Sequence, residues 1–322
     1  MTRRVVLAGA SGFIGQHLES AFRSRGDVVL RIGRSGPDAT WGERSGIQRA
    51  LDGADLLVNM AGRSVNCRYG PANRAEILRS RIDTTRALRD AAASIASPPA
   101  LWVNSSTATI YRHAEDRPMT ESTGELGEGF SVGIAKAWEQ EFFGGELPGT
   151  RRVALRTAIV LGDGSALAPL VRLTKLGLGG AHLDGPWPST KARLAAGTYH
   201  AFRARGGRQR FSWVHLDDVL GVIQFLERRP DLGGVFNVSS PNPSTDRDLM
   251  ATLRRVLGVP FGIPQPRWML ELGSIAIRTE TELVLKSRWV LPERLLAAGY
   301  EFRFPDLEVA LRHILGARNE AR

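Results

Sequence analysis

The sequence predicts an α/β fold, a doubly wound parallel sheet followed by a smaller C-terminal lobe. Three observations carry that reading. The chain has 322 residues, long for one core and short for two large ones. Residues 4–35 read as strand, glycine turn, helix and strand, which is one βαβ unit. The same alternation continues to about residue 157, and it implies right-handed crossovers with ligands at the carboxyl ends of the strands.

Each element has a local cause. Val5-Val6-Leu7-Ala8 is a short apolar run ended by glycine, the mark of a buried parallel strand. Residues 14–25 set Ile14, Leu18, Ala21 and Phe22 on one helix face and stop at Gly26. Strands are expected at 28–32, 56–60, 100–104 and 153–156, and helices at 72–93 and 134–143. From 181 to 209 the periodicity breaks into Gly, Pro, Arg and Trp, with Gly185-Pro186-Trp187-Pro188 as its clearest turn, which marks a functional or disordered loop. A helix at 216–228, a strand at 235–237 and a helix at 245–257 follow, then a proline-rich stretch and further helices ending near 315. Residues 1–165 therefore form the nucleotide-binding domain, to which 211–239 is expected to return. The remainder of 166–322 makes the second lobe and a helical tail.

Composition narrows the function classes. Hydrophobic residues at 43% and charged residues at 24% are ordinary for a globular chain. The net charge of +10 raises nucleic acid and anionic membranes as partners, but the basic residues are scattered among acidic ones and form no run. Neither partner is expected. Cys67 is the single cysteine, so no intrachain disulfide or cysteine metal cluster can form, and a reduced, cytoplasmic setting is the default. The apolar start is too short for a signal or a membrane span, and no metal is expected.

Gly9-Ala10-Ser11-Gly12-Phe13-Ile14-Gly15 joins the first strand to the first helix. One glycine tolerates positive φ, another lets backbone approach a diphosphate, and the third lets the helix pack closely; the helix start adds free N–H groups and a positive dipole end. Three glycines alone could merely turn a corner, but their place in a βαβ series favours a Rossmann-type phosphate cradle with Ser11, Phe13 and Ile14 beside it. At the end of the second strand an NAD site carries an acidic residue, whereas this chain reads Arg31-Ile32-Gly33-Arg34-Ser35 with no carboxylate before Asp38. Arg34 can stack on adenine or fork onto a 2′-phosphate, with Ser35 as a second donor. NADP(H) is the expected cofactor and NAD(H) the alternative; the plain reading of Arg34 is a solvated loop arginine.

With the glycine turn, Asn59-Met60-Ala61-Gly62 and Asn104-Ser105-Ser106-Thr107-Ala108-Thr109-Ile110-Tyr111, the chain resembles an extended short-chain dehydrogenase/reductase. Residues 80–88, 155–162, 211–218 and 290–296 are similar to an atypical subgroup, epimerase/dehydratase-like proteins with a C-terminal domain of unknown function. The resemblance runs over nearly the full length and implies a Rossmann domain with a smaller substrate lobe. It also implies that Ala61, Gly62, Ser105 and Arg156 border the cofactor. Homodimer formation through helices 72–93 and 134–143 is a further implication.

Enzymes of the wider superfamily use a Tyr and a Lys four residues later, the ammonium lowering the phenol's pKa. This chain lacks the pair: with Glu139 as the acidic marker, Ser131 and Ala135 stand in those positions, and Lys136 is one place off. Thr107 matches the superfamily's substrate-holding hydroxyl, though a hydroxyl bonded to neighbouring backbone reads equally well. Tyr111 is the other catalytic candidate, against the plainer reading of a buried tyrosine with a satisfied hydroxyl. Ser106 is weaker. His215 with Asp217 and Asp218 reads as an acid/base pair or, more plainly, as a histidine under a helix capped by one of the aspartates. Arg63, Arg68 and Arg210 are anion-binding candidates. The expected function is an NADP(H)-dependent oxidoreductase or epimerase on a small hydroxyl- or carbonyl-bearing substrate; the alternative is an NADP(H)-binding regulatory or scaffold protein without turnover.

Overall fold

The computed structural model describes residues 2–164, 166–195, 197, 199–200, 202–276 and 280–320. β1 (Arg4–Ala8), α1 (Phe13–Ser24) and β2 (Val28–Gly33) form the opening βαβ unit. β3 (Ala39–Thr40), α2 (Arg44–Leu51), β4 (Leu56–Asn59), α3 (Pro71–Ala92), β5 (Leu101–Thr107), α4 (Phe130–Phe143) and β6 (Arg151–Thr157) continue the alternation. Of these, β3 and α2 are too short to show a period in the sequence.

Beyond β6 come β7 (Ile159–Leu161), α5 (Leu167–Lys175), α6 (Lys191–Ala195), β8 (Arg210–Phe211), β9 (Trp213–His215), α7 (Leu216–Arg228) and β10 (Gly234–Val238). β10 pairs with β6, completing a seven-stranded sheet in the order β10-β6-β5-β4-β1-β2-β3 with every pairing parallel. Strand order reverses between β1 and β4, so the crevice that binds ligands in such sheets opens at the glycine turn. One face of the sheet packs Leu18 and Phe22 of α1 against Val219, Val222, Ile223 and Leu226 of α7. The other packs Ile47, Leu51, Leu88 and Phe142 from α2, α3 and α4. Central strands covered on both faces have no wet side, which is why they read as unbroken apolar runs.

β11 (Ser244–Thr245), α8 (Asp246–Leu257), α9 (Arg267–Ala276), α10 (Glu282–Leu285), α11 (Glu293–Ala297) and α12 (Leu307–Glu320) follow. A separate apolar cluster sets α5, α8 and α12 around Leu161 and Trp213, while Leu295 of α11 packs into the core of the seven-stranded sheet with α1 and α7. The segment expected to be irregular, 181–209, holds the short α6 and is anchored where His182 Nδ1 meets Asp246 Oδ1 at 2.6 Å. Ala196, Thr198 and Ala201 in that segment lie outside the described residues.

Between α10 and α11 the tail runs beside β8 and the segment that follows β5. Arg288 exchanges backbone hydrogen bonds with β8 and with Ser212, and Met119 N donates to Trp289 O at 2.7 Å. These bonds fix residues 286–290 against the segment that leaves β5. Among the described residues no helix is long and apolar enough to cross a membrane.

Candidate active site

The glycine turn is shaped by backbone proximity. Gly9 has φ +83°, and a Cβ there would lie 2.7 Å from Ala61 N, so both conformation and space require glycine. A Cβ on Gly15 would sit 2.2 Å from Gly9 O, which forces α1 close against the turn. Gly12 is the N-cap of α1 and supplies no side-chain acceptor, leaving N–H groups at the helix start for an anion. Ser11 is exposed beside it, and Ile14 packs into the core. The Phe13 ring lies so close to Gly162 that a Cβ there would come within 2.7 Å of it.

The loop after β2 presents Arg34 and Ser35 to solvent. Asp38, the nearest carboxylate, turns back to accept the Arg31 N–H at 2.8 Å. Arg34 makes no hydrogen bond or ion pair among the described residues. After β4, buried Asn59 accepts the Ala61 N–H at 3.0 Å and donates to Asn104 Oδ1 at 2.7 Å, fixing the Ala61-Gly62 turn. These residues suit a dinucleotide: the cradle is one that side chains would fill, and the open cation stands where a 2′-phosphate is read.

At the end of β5, Ser105 and Thr107 are half-buried while Ser106 is buried. Thr107 Oγ1 accepts the Thr109 N–H at 3.1 Å, which leaves its own O–H to donate. Ser106 Oγ donates to Glu139 at 2.6 Å. Arg156 forks onto the same carboxylate at 2.8 and 2.7 Å, and its Nη1 donates to the Tyr111 hydroxyl at 2.9 Å. Tyr111, 2% exposed, donates to Asn237 Oδ1 at 2.9 Å, and burial raises its pKa. The expectations of a proton donor at Tyr111 and a cofactor contact at Arg156 thus meet side chains already engaged within the protein.

The superfamily's Tyr and Lys positions are rebuilt as well. Ala135 is buried, Lys136 Nζ donates to Gly127 O at 2.9 Å, and Ser131 Oγ donates to Glu282 Oε2 at 2.7 Å. Glu282 comes from α10 in the C-terminal segment and brings other charges with it. Glu282, Lys286 and Arg288 are only 6%, 5% and 6% exposed. Lys286 Nζ donates to Thr109 O at 2.8 Å, and Arg288 donates to Thr109 Oγ1 and to the carbonyls of Glu282, Leu283 and Lys286. Burial, helped by the charge of Arg288 and opposed by Glu282, lowers the Lys286 pKa to about 8.

Glu282 and Lys286 border a cavity of about 360 Å³ at the start of α4, lined also by His113, His200 and Phe202. Phe202 stacks between the two imidazoles, 4.9 Å from His113 and 5.7 Å from His200. Burial lowers the pKa of both histidines, so the rings are neutral at physiological pH. A confined space with buried ionisable groups at the carboxyl edge of a parallel sheet is where substrate chemistry is found.

The remaining candidates lie elsewhere or have other work. His215 is itself the N-cap of α7, its Nδ1 accepting the Asp217 N–H at 3.0 Å, so the cap is the histidine and not an aspartate. Asp218 accepts the N–H groups of Arg303 and Phe304. Because His215 Nδ1 is an acceptor, its Nε2 carries the proton, and the 3.3 Å approach to His313 Nδ1 is a hydrogen bond between rings. Burial lowers the His215 pKa to about 4, which keeps the ring neutral. Arg63 bonds Asn73, Arg68 pairs with Glu280, and Arg210 covers the Trp289 ring.

Sequence reasoning missed His113, His200, Glu282, Lys286 and Arg288. One signal was available: Glu282, Lys286 and Arg288 interrupt an apolar stretch, Leu283-Val284-Leu285 and Trp289-Val290-Leu291, in a tail otherwise read only as helical.

Residues 5–138 match the NAD dependent epimerase/dehydratase family, and residues 265–314 match a domain of unknown function (DUF1731). The mouse epimerase family protein SDR39U1 is 30% identical over 97% of this chain and 99% of its own length. The Bacillus subtilis epimerase family protein YfhF is 27% identical over 98% of both chains. Among solved structures, human epimerase family protein SDR39U1 (isoform 2) with NADPH superposes with a TM-score of 0.81 at 26% identity, over 97% of this chain and 99% of that one.

Proposed function

Because this chain belongs to the epimerase family, we propose that it binds NADP(H) and acts as an oxidoreductase or epimerase on a small hydroxyl- or carbonyl-bearing substrate. The observation that carries the reading is the unengaged Arg34 beside the open glycine turn, with Asp38 folded away onto Arg31. The solved relative with NADPH supports the same cofactor.

Gly9, Ser11, Gly12, Phe13, Ile14 and Gly15 would hold the diphosphate at the start of α1, and Arg34 with Ser35 the 2′-phosphate. Ala61, Gly62 and Ser105 border the dinucleotide at the ends of β4 and β5, with Arg156 behind them on Glu139. When bound, the nicotinamide supplies or accepts a hydride. Thr107 would donate its free O–H to the substrate oxygen at the end of β5. Tyr111 acts at one remove, fixing Arg156.

Fluorescence titration with NADPH and NADH tests the cofactor assignment. NADPH is expected to bind at least about tenfold tighter, the value of one extra charged hydrogen bond; equal dissociation constants overturn it. A second reading, an NADP(H)-binding regulatory protein without turnover, is favoured by Ser131 and Ala135 in the Tyr and Lys positions. NADPH oxidation across a panel of small aldehydes and ketones separates the two, since turnover of any member rejects the regulatory reading.

A further inference from the structure

We propose that Lys286, delivered by the C-terminal segment, is the proton-transfer group of this site, replacing the Tyr and Lys that the wider superfamily carries on one helix. The proposal rests on the reading of the protein as an NADP(H)-dependent enzyme.

Position is the first argument. Lys286 Nζ has Thr109 O as its acceptor at 2.8 Å, and the side chain also borders the cavity. Thr109 is the residue whose N–H is held by Thr107 Oγ1. The ammonium and the substrate-holding hydroxyl are therefore anchored to one turn. On α4, Ser131 occupies the superfamily's Tyr position and donates to Glu282, one helical turn before Lys286. The superfamily's proton site is thus emptied on α4 and refilled from the C-terminal segment.

Electrostatics is the second. Arg288 and Glu282 face Lys286 from its own segment, Arg112 and His113 from the segment after β5, Glu128 from the turn before α4, and Tyr199 and His200 from the 181–209 segment. The guanidinium of Arg112 is engaged by Asp116 and Glu125. His113 Nδ1 accepts the Ser287 N–H at 3.0 Å and contributes a neutral ring. Burial and Arg288 work against the ammonium while Glu282 supports it, which brings the group near pH 8, where it can both give and take a proton. A lysine needed only as a tie to a carbonyl would not require this surrounding, because burying an ammonium beside a guanidinium is unfavourable.

In the reducing direction one N–H bond of the Lys286 ammonium breaks, its electron pair stays on Nζ, and an O–H bond forms on the substrate oxygen. The carbonyl carbon would take the hydride that bound NADPH supplies, the C=O π pair moving to the oxygen that Lys286 protonates and NADP+ remaining. Water at the cavity mouth returns the proton to Nζ. Oxidation of an alcohol runs the same transfers backward.

The chain has four lysines, Lys136, Lys175, Lys191 and Lys286, so ¹³C-lysine labelling gives a sparse NMR spectrum in which Lys286 is identified by its loss from Lys286→Met. Its ε-carbon should titrate near pH 8 in the full chain. Titration at about 10.4, the ordinary lysine value, overturns the proposal. With a panel substrate, Lys286→Met should bind NADPH within about twofold of wild type while turnover falls about 10²- to 10⁴-fold and its pH limb near 8 disappears. Lys286→Arg keeps the charge and a donor for Thr109 O but does not release a proton, so it should be equally slow. Full turnover in Lys286→Arg rejects the role, whereas failure of the wild type to bind NADPH rejects the proposed function itself. The titration reads Lys286 whether or not a panel substrate turns over.

Discussion

The glycine turn and the cluster of Glu282, Lys286 and Arg288 lie at carboxyl ends of strands in one sheet, yet they are built in opposite ways. The turn is made of backbone from seven consecutive residues, and its specificity comes from side chains that are missing. The cluster is made of side chains that meet Thr109 just beyond β5, Ser131 on α4 and His200 in the 181–209 segment, 82 to 179 residues away in sequence, while Arg288 also ties down carbonyls of its own segment. A site of the first kind is tolerant outside its few glycines. A site of the second kind depends on every partner.

That contrast can be broken most forcefully at Arg288. Arg288→Met removes the donor to three carbonyls and to Thr109 Oγ1 at a buried position. A loss of about 3–5 kcal/mol in urea unfolding is expected. A loss under about 1 kcal/mol would show that the cluster is held by packing and not by its polar contacts.

Gly15→Ala probes the turn by adding a side chain where one does not fit. The new Cβ, 2.2 Å from Gly9 O, must push α1 outward. Stability should fall by about 1–3 kcal/mol, the usual range for overpacking, with NADPH affinity reduced at least about tenfold. Unchanged affinity would mean that the approach of α1 to the turn does not position the diphosphate.

The smallest structural effect is expected at Arg34. Arg34→Leu removes an exposed side chain without protein partners, so unfolding should shift by no more than about 0.5 kcal/mol. NADPH affinity should nonetheless fall about 10- to 100-fold while NADH affinity holds, in keeping with one charged hydrogen bond. Equal losses for both nucleotides would place Arg34 on the adenine ring.

Legibility followed the same division. The βαβ unit, α3, α7 and α8 were readable within a residue or two, because apolar periodicity and terminal glycines act over short distances. Arg34 and the absent carboxylate before Asp38 were readable because the site is contiguous. Tyr111 was legible as a buried tyrosine with a satisfied hydroxyl, but its partners were not: Asn237 and Arg156 are 126 and 45 residues distant. His215 was legible at a helix start, but its role as the cap depends on which way its ring turns.

By itself, then, the sequence determined the parallel α/β sheet, the glycine cradle and the loss of the superfamily's Tyr and Lys, since each is a matter of residue type over a few positions. Only the tertiary structure decided what stands in their place. Bringing Lys286 to Thr109 spans 177 residues and runs through the hydrogen bonds that Arg288 and Trp289 make with β8 and Met119. Such a meeting leaves no local pattern, because the geometry that creates it belongs to two distant segments together and not to either stretch of chain.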